Sequence, residues 1–182
     1  MSEIRITHTD NTTDESIIEQ ILEVESAAYP SEICGSARSV LPRFRQFKDM
    51  AILAYDGDKA VGNLGFFPIA QTVYEDILYS GIYRDDNITP CEMEVLSDHT
   101  HLFIISVAVR GDYQHQGIGH MLMEGLFERV RAYEAQGYHV RDILAIAISE
   151  GGERVLAAHG FTDTGIRTRQ KYKVYLWKEQ QR

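Results

Sequence analysis

The stretch Val107-Ala108-Val109-Arg110-Gly111-Asp112-Tyr113-Gln114-His115-Gln116-Gly117-Ile118-Gly119-His120 has the residue types and spacing of an anion cradle. It follows the apolar run Leu102 to Ile105 and leads into a long amphipathic pattern. A buried strand, a short loop and a glycine-spaced turn that opens a helix are therefore expected. The first turn of a helix has backbone N–H groups with no intrahelical partner, and the helix dipole adds partial positive charge there. Gly117 and Gly119 omit the side chains that would keep a phosphate oxygen from those N–H groups. Such a turn takes a pyrophosphate without a lysine. Two other nucleotide motifs are excluded. A dinucleotide fingerprint needs a third glycine, but Met121 and Leu122 follow His120, and no Gly-Lys-Ser/Thr of a P-loop occurs.

With the spacing Gln114-x-x-Gly117-x-Gly119, the segment resembles the acetyl-coenzyme A signature Arg/Gln-x-x-Gly-x-Gly/Ala of the GCN5-related N-acetyltransferases, the GNAT family. The flanks agree. Val107-x-Val109 ends the upstream strand, Tyr113 precedes the motif, and a second apolar strand follows. Ala158-His159-Gly160-Phe161 is similar to the Gly-Phe that closes the family's last helix, while Arg110 stands where the family commonly has proline. The resemblance runs from Ala51 to Trp177 and is strongest from His101 to Phe161. It implies an α/β fold: a single-domain mixed, mostly antiparallel sheet with helices on both faces. It also implies acetyl-CoA as co-substrate, held by Val107, Ala108, Val109, Gln114, His115, Gln116, Gly117, Ile118, Gly119 and His120. No metal is implied.

In the resembled family an amine attacks the thioester directly while both substrates are bound, which sets three tasks. The amine must be neutral, because an ammonium with a pKa near ~10 has no lone pair. The thioester oxygen must be stabilised as it becomes an oxyanion, which suits the backbone N–H groups of Val107 to Val109. The departing thiolate benefits from an acid. The family often has a tyrosine four residues before the Gly of Gly-Phe, but here that position is Leu156. The catalytic candidates are Glu92 and Glu94, as base or ammonium anchor acting through water, His159 for the acid, and Ser149, which stands near the place where the family often has a polar Asn that bonds the cofactor's arm. Ser149 and His159 also read as helix caps, and the two glutamates as a solvated loop. His99 and His101 are similar to paired histidines of serotonin-type N-acetyltransferases. Counted from Gln114, however, those positions are Phe103 and Ile105, so both histidines read as the solvated start of a strand.

The elements that must position these groups follow from periodicity. Ile4 to His8 reads as a strand. Asp14 or Thr13 caps a helix with Ile17, Ile18, Ile21, Leu22 and Val24 at helical spacing, ending before Pro30. Ser31 to Ser39 reads as loop and Val40 to Lys48 as a short helix. Ala51 to Tyr55 and Lys59 to Phe67 form a hairpin about Asp56-Gly57-Asp58. From Ile69 to Thr100 the pattern fits strand or short helix, with a turn at Asp85-Asp86-Asn87. His101 to Val109 is a central strand. Ile118, Met121, Leu122, Leu126, Val130 and Tyr133 mark a helix that Gly137 ends. Ile143 to Ile148 is a strand, Glu153 to His159 a helix stopped by Gly160, and Phe161 to Arg167 and Lys171 to Trp177 are β-rich.

Composition bounds the partners. The 182 residues suit one domain, residues 1–182, which the resemblance makes an N-acetyltransferase domain, and the 44% apolar and 25% charged shares are those of a globular protein. Cys34 and Cys91 form no metal spacing or disulfide framework, which fits a reducing cytoplasm. The start has no apolar signal core, and no run nears the ~20 residues that span a bilayer, so no membrane partner is expected. A net charge of −9 argues against nucleic acid. Polyanionic coenzyme A must then be bound by local donors, with Arg110, His115 and His120 beside the cradle. Arg167, Arg169, Lys171 and Lys173 could reach an outlying phosphate or form a solvated strand face. Glu75, Asp76, Asp85, Asp86, Glu92, Glu94 and Asp98 against Arg84 favour a cationic acceptor. The reading is transfer of acetyl from acetyl-CoA to a primary amine of a small, cationic molecule. The alternatives are a protein N-terminus or lysine as acceptor, or a non-catalytic acyl-CoA-binding module. A homodimer is an arrangement frequent in the family.

Overall fold

The structure is a computed structural model that describes residues 3–84 and 87–179; Asp85 and Asp86 of the expected turn lie outside them. The elements are β1 (Ile4–His8), α1 (Ile17–Ala28), α2 (Ala37–Gln46), β2 (Ala51–Asp56), β3 (Lys59–Pro68), α3 (Gln71–Ser80), β4 (Thr100–Val109), α4 (Ile118–Ala135), β5 (Val140–Ala147), α5 (Glu150–Ala158), β6 (Thr162–Arg167) and β7 (Lys173–Lys178). The strands form a seven-stranded sheet in the order β1-β2-β3-β4-β5-β7-β6. Pairing is antiparallel for β1–β2, β2–β3, β5–β7 and β6–β7, and parallel for β4–β5. This is the mixed, mostly antiparallel α/β sheet expected from the sequence.

Several local expectations are decided or shifted, among them the start of α5, which is Glu150 rather than Glu153. The open segment after β3 contains α3, which buries Val73, Tyr74 and Ile77, and its N-cap Ala70 makes no side-chain bond that would have announced it. Gly81 ends it at φ 61, and a Cβ there would lie 2.5 Å from the Arg167 carbonyl oxygen, so only glycine fits. The helix expected from Val40 begins at Ala37, because Ser36 and Ser39 bond each other's backbone N–H as a capping box. The N-cap of α1 is Ser16, and Asp14 acts two residues earlier by accepting the Ser16 N–H at 2.9 Å.

Contacts gather into two compact units, Met1–Gly65 with Ser106–Glu128 and Phe66–Ile105 with Arg129–Arg182. In the first, alternation along β3 assigns its neighbours. A Cβ at Gly62 would stand 2.9 Å from Ile118 of α4, and one at Gly125 of α4 would stand 3.0 Å from Ile52 of β2. Asn63 points to the other face of the sheet, as successive strand residues do, and there its amide meets Ser106 and, through it, α1. Helices thus cover both faces of this unit.

In the second unit, His101 is not at a solvated strand start. Its ring stacks on Tyr74 with centroids 4.1 Å apart, and its Nδ1 lies 2.6 Å from Asp142 Oδ1. The Tyr74 hydroxyl donates to Asp142 Oδ2 at 3.1 Å, and Gln71 Oε1 lies 2.9 Å from His101 Nε2. Burial, and then the Asp142 carboxylate beside it, push the Tyr74 phenol well above the ordinary tyrosine value.

Candidate functional site

The loop after β4 is tied down at each end. The Arg110 N–H donates to the Val61 carbonyl at 3.0 Å, and Gly111–Tyr113 makes one 3-10 turn. The Tyr113 hydroxyl donates to Asp56 Oδ2 at 2.9 Å, a bond that raises the phenol pKa, and Lys59 Nζ sits 5.0 Å from the Tyr113 ring centre. Gln114 Nε2 donates to the Val109 carbonyl at 3.1 Å, and Gln116 Nε2 to that of Asp112 at 3.2 Å. Their two amides brace the loop from within.

The turn into α4 uses left-handed backbone at His115 (φ 62) and Gly117 (φ 82). The His115 conformation costs about 1–2 kcal/mol for a residue with a Cβ, a strain of the kind that collects at ligand-binding loops. The N–H groups of His120 and Met121 both reach the Gly117 carbonyl. Ile118 and Gly119 precede them, so their N–H groups have no carbonyl four residues back within the helix. Residues Gln114 to Gly117 are exposed, and a Cβ at Gly117 would meet nothing within 4 Å. The structure brings the expected cradle residues Gln114, His115, Gln116, Gly117, Ile118, Gly119 and His120 onto one short turn that opens to solvent.

The outer end of β4 carries a second arrangement. The β4–β5 register covers Thr100 to Ile104, and beyond it Ile105, Ser106 and Val107 are half-buried, Ala108 is buried and Val109 half-buried. Tyr29, the C-cap of α1, places its hydroxyl on the Val107 peptide, donating to the carbonyl at 2.6 Å and accepting from the N–H at 3.2 Å. One helical turn earlier, buried Glu25 accepts the Ser106 hydroxyl at 2.8 Å through Oε1 and the Gly35 N–H at 3.2 Å through Oε2. Ser106 Oγ in turn accepts from Asn63 Nδ2 at 3.2 Å. A local signal for this existed: Glu25 falls on the buried stripe of Ile18, Ile21 and Val24, where a carboxylate is out of place unless it has partners.

The catalytic candidates all belong to the second unit. Glu92 closes a capping box, accepting the Thr89 N–H and hydroxyl at 3.0 Å each, and pairs with Arg84, which also bonds Asp76 at 3.0 Å. The Thr89 N–H first, then the Arg84 guanidinium, hold the Glu92 carboxyl below its usual range, which weakens it as a base. Glu92→Gln is expected to lower stability by about 1 kcal/mol, since it loses charge-assisted bonds at a partly exposed site. A depressed folded pKa gives stability that is present above the ordinary value of 4.5 and lost as pH falls through the folded one. The difference in melting temperature between wild type and variant should therefore close below that pH; a constant difference would contradict this role.

Glu94 is exposed on the loop before β4. Ser149 caps α5, its hydroxyl accepting the Gly152 N–H at 3.1 Å, and His159 is the C-cap of the same helix. Leu156 is buried in its core-facing turn. Of the basic tail, Arg167 is held by both oxygens of Asp163 at 2.8 and 2.7 Å, and Lys173 pairs with Glu153. Both side chains are partly exposed and paired with acidic neighbours.

The sequence profile of the Acetyltransferase (GNAT) family matches residues 18–161. No curated protein matches the chain significantly. Among solved structures, the loading GNATL domain of CurA from Lyngbya majuscula superposes with a TM-score of 0.70 at 12% identity, over 97% of this chain and 98% of that one. The GphF GNAT-like decarboxylase in complex with isobutyryl-CoA gives 0.71 at 11% identity, over 96% and 98%. The ribosomal-protein-S18-alanine N-acetyltransferase from Escherichia coli gives 0.59 at 14%, over 96% and 91%. At these identities the structures speak for the fold alone, and the profile for the family. The profile takes in the strand, the glycine turn and the Gly160-Phe161 ending, and the chain belongs to the GNAT family of acyl-CoA-dependent N-acyltransferases.

Proposed function

We propose that the protein is an acetyl-CoA-dependent N-acetyltransferase, one domain that transfers acetyl to a primary amine of a small, cationic acceptor by direct attack in a ternary complex. The observation that carries this reading is the braced, exposed turn from Gln114 to Gly117 at the start of α4, where the N–H groups of Ile118 and Gly119 have no carbonyl four residues back within the helix. Gln116, Gly117, Ile118, Gly119 and His120 bind the pyrophosphate there, Gln114 and His115 shape the turn, and Val107 to Val109 run beside the cofactor's arm. The thioester supplies the activated acetyl group. The acceptor follows from charge: a chain of net charge −9 with exposed Glu94 and Asp98 attracts cations. The free thiols of Cys34 and Cys91 suit a cytoplasmic setting.

A second reading, an acyl-CoA-binding module without amine transfer, is favoured by Leu156 at the acid position and by the structural duties of Glu92 and Ser149. Free thiol release from acetyl-CoA, measured against polyamines, aminoglycosides and short peptides, separates the readings. Stimulation by small cationic amines is the expected result. Stimulation by peptides alone would move the acceptor to a protein amino group, and coenzyme A binding without stimulation by any amine would leave the binding module.

A further inference from the structure

We propose that Tyr29 is a catalytic residue whose hydroxyl, beside the Val107 N–H, is a second donor to the thioester oxygen as that oxygen becomes an oxyanion. The inference rests on the acetyl-CoA reading above. It starts from the position of the phenol oxygen, which accepts the Val107 N–H at 3.2 Å and so stands where an acceptor for that amide must stand. Its own proton is directed to the Val107 carbonyl at 2.6 Å. A thioester oxygen that takes the Val107 N–H arrives beside the phenol. The hydroxyl proton then reaches it by rotation about one C–O bond, with no movement of the backbone. With phenol and backbone in place, the Val107 N–H is shared between the phenol oxygen and the thioester oxygen as a three-centre bond, and the thioester oxygen gains two donors at about 2.7–3.1 Å, as in an oxyanion hole.

The phenol is held in place before any substrate arrives, which is what makes such a donor effective. Tyr29 is the residue on which α1 ends, its N–H bonded to the Glu25 carbonyl at 2.8 Å. The Glu25 side chain, one turn back on the same face, fastens α1 to Ser106 and to Gly35, and Asn63 fastens Ser106 from β3. Adjacent residues of β4 are thus gripped by residues four apart on α1. Glu25 is a positioning residue in this scheme. In the reaction the neutral amine nitrogen bonds the carbonyl carbon and the oxygen gains negative charge; the nitrogen sheds its extra proton to solvent, and collapse of the oxyanion breaks the C–S bond and releases thiolate, which solvent protonates. Tyr29 keeps its proton throughout and contributes hydrogen bonding only.

The test is Tyr29→Phe, which removes one oxygen from a site that otherwise stays filled. Acetyl-CoA labelled with carbon-13 at the carbonyl is bound to wild type, and its thioester stretch is read by isotope-edited infrared spectroscopy. The expected band lies below that of free acetyl-CoA in wild type and moves back toward it in Tyr29→Phe. Thiol release should fall by roughly 100-fold in kcat with KM little changed, the loss typical of one oxyanion donor. Calorimetric affinity for coenzyme A, which has no acetyl group, should match wild type and also reports that the variant is folded. A wild-type band at the free position, or equal bands and equal kcat in the two proteins, overturns the role of Tyr29. No affinity of wild type for coenzyme A would instead overturn the cofactor reading on which it rests.

Discussion

Gly119→Asp is expected to weaken coenzyme A binding by a hundredfold or more while leaving the protein at least as stable as wild type. The residue is second in α4. A carboxylate in the first turn of a helix interacts favourably with the dipole by about 0.3–1 kcal/mol, and replacing a helical glycine removes a further penalty of about 0.5–1 kcal/mol. The same carboxylate competes for the N–H groups that the cradle would offer to phosphate. Losing two charge-assisted hydrogen bonds, at ~1.5–3 kcal/mol each, reduces affinity by at least two orders of magnitude. Stability and binding therefore move in opposite directions, which separates this effect from misfolding. Calorimetry with coenzyme A and a melting curve on the same sample make the comparison. Unchanged affinity in a folded Gly119→Asp protein would remove the turn from the cofactor site.

The second large effect concerns stability alone. Asp142→Ala is expected to destabilise the fold by about 2–5 kcal/mol, because a buried carboxylate is removed from two partners that remain buried. The Tyr74 hydroxyl and His101 Nδ1 would both lose their acceptor. For a chain of this size the melting temperature falls by roughly 2–4 °C per kcal/mol. Tyr74→Phe, which removes the donor and leaves Asp142 still paired with His101, should cost less. Alkaline pH gives a further check. The folded phenol has a raised pKa, so its contribution is complete below the ordinary value of 10 and is lost as pH rises through the folded value. Wild type should therefore lose more stability than Tyr74→Phe above pH 10. An Asp142→Ala protein that melts with wild type would show that the pair carries no net stabilisation.

Much of the scaffold was legible because its causes are local. An apolar run, two glycines and a helical stripe placed β4, the turn and α4 in order, since strand burial, left-handed backbone and a helix start each depend on a few neighbouring residues. The β2–β3 hairpin and the helix stops at Gly137 and Gly160 were readable for the same reason, and Gly57, Gly137 and Gly160 do adopt positive φ. The caps at Ser149 and Thr89–Glu92 are local too, each joining residues three positions apart. α3 was ambiguous because its three buried residues are too few to display a period. The engagement of Glu25 had one local sign, a carboxylate on the apolar stripe of α1, and that of Tyr29 had none. Their partners Ser106 and Val107 lie 81 and 78 residues away in the chain. His101 and Asp142, 41 residues apart, likewise meet only when β4 and β5 pair in parallel. A side chain's type and spacing determine which hydrogen bonds it is able to make. Which of them it does make, and whether a carboxylate or phenol ends as cap, brace or donor, is decided by the neighbours that folding delivers from elsewhere in the chain.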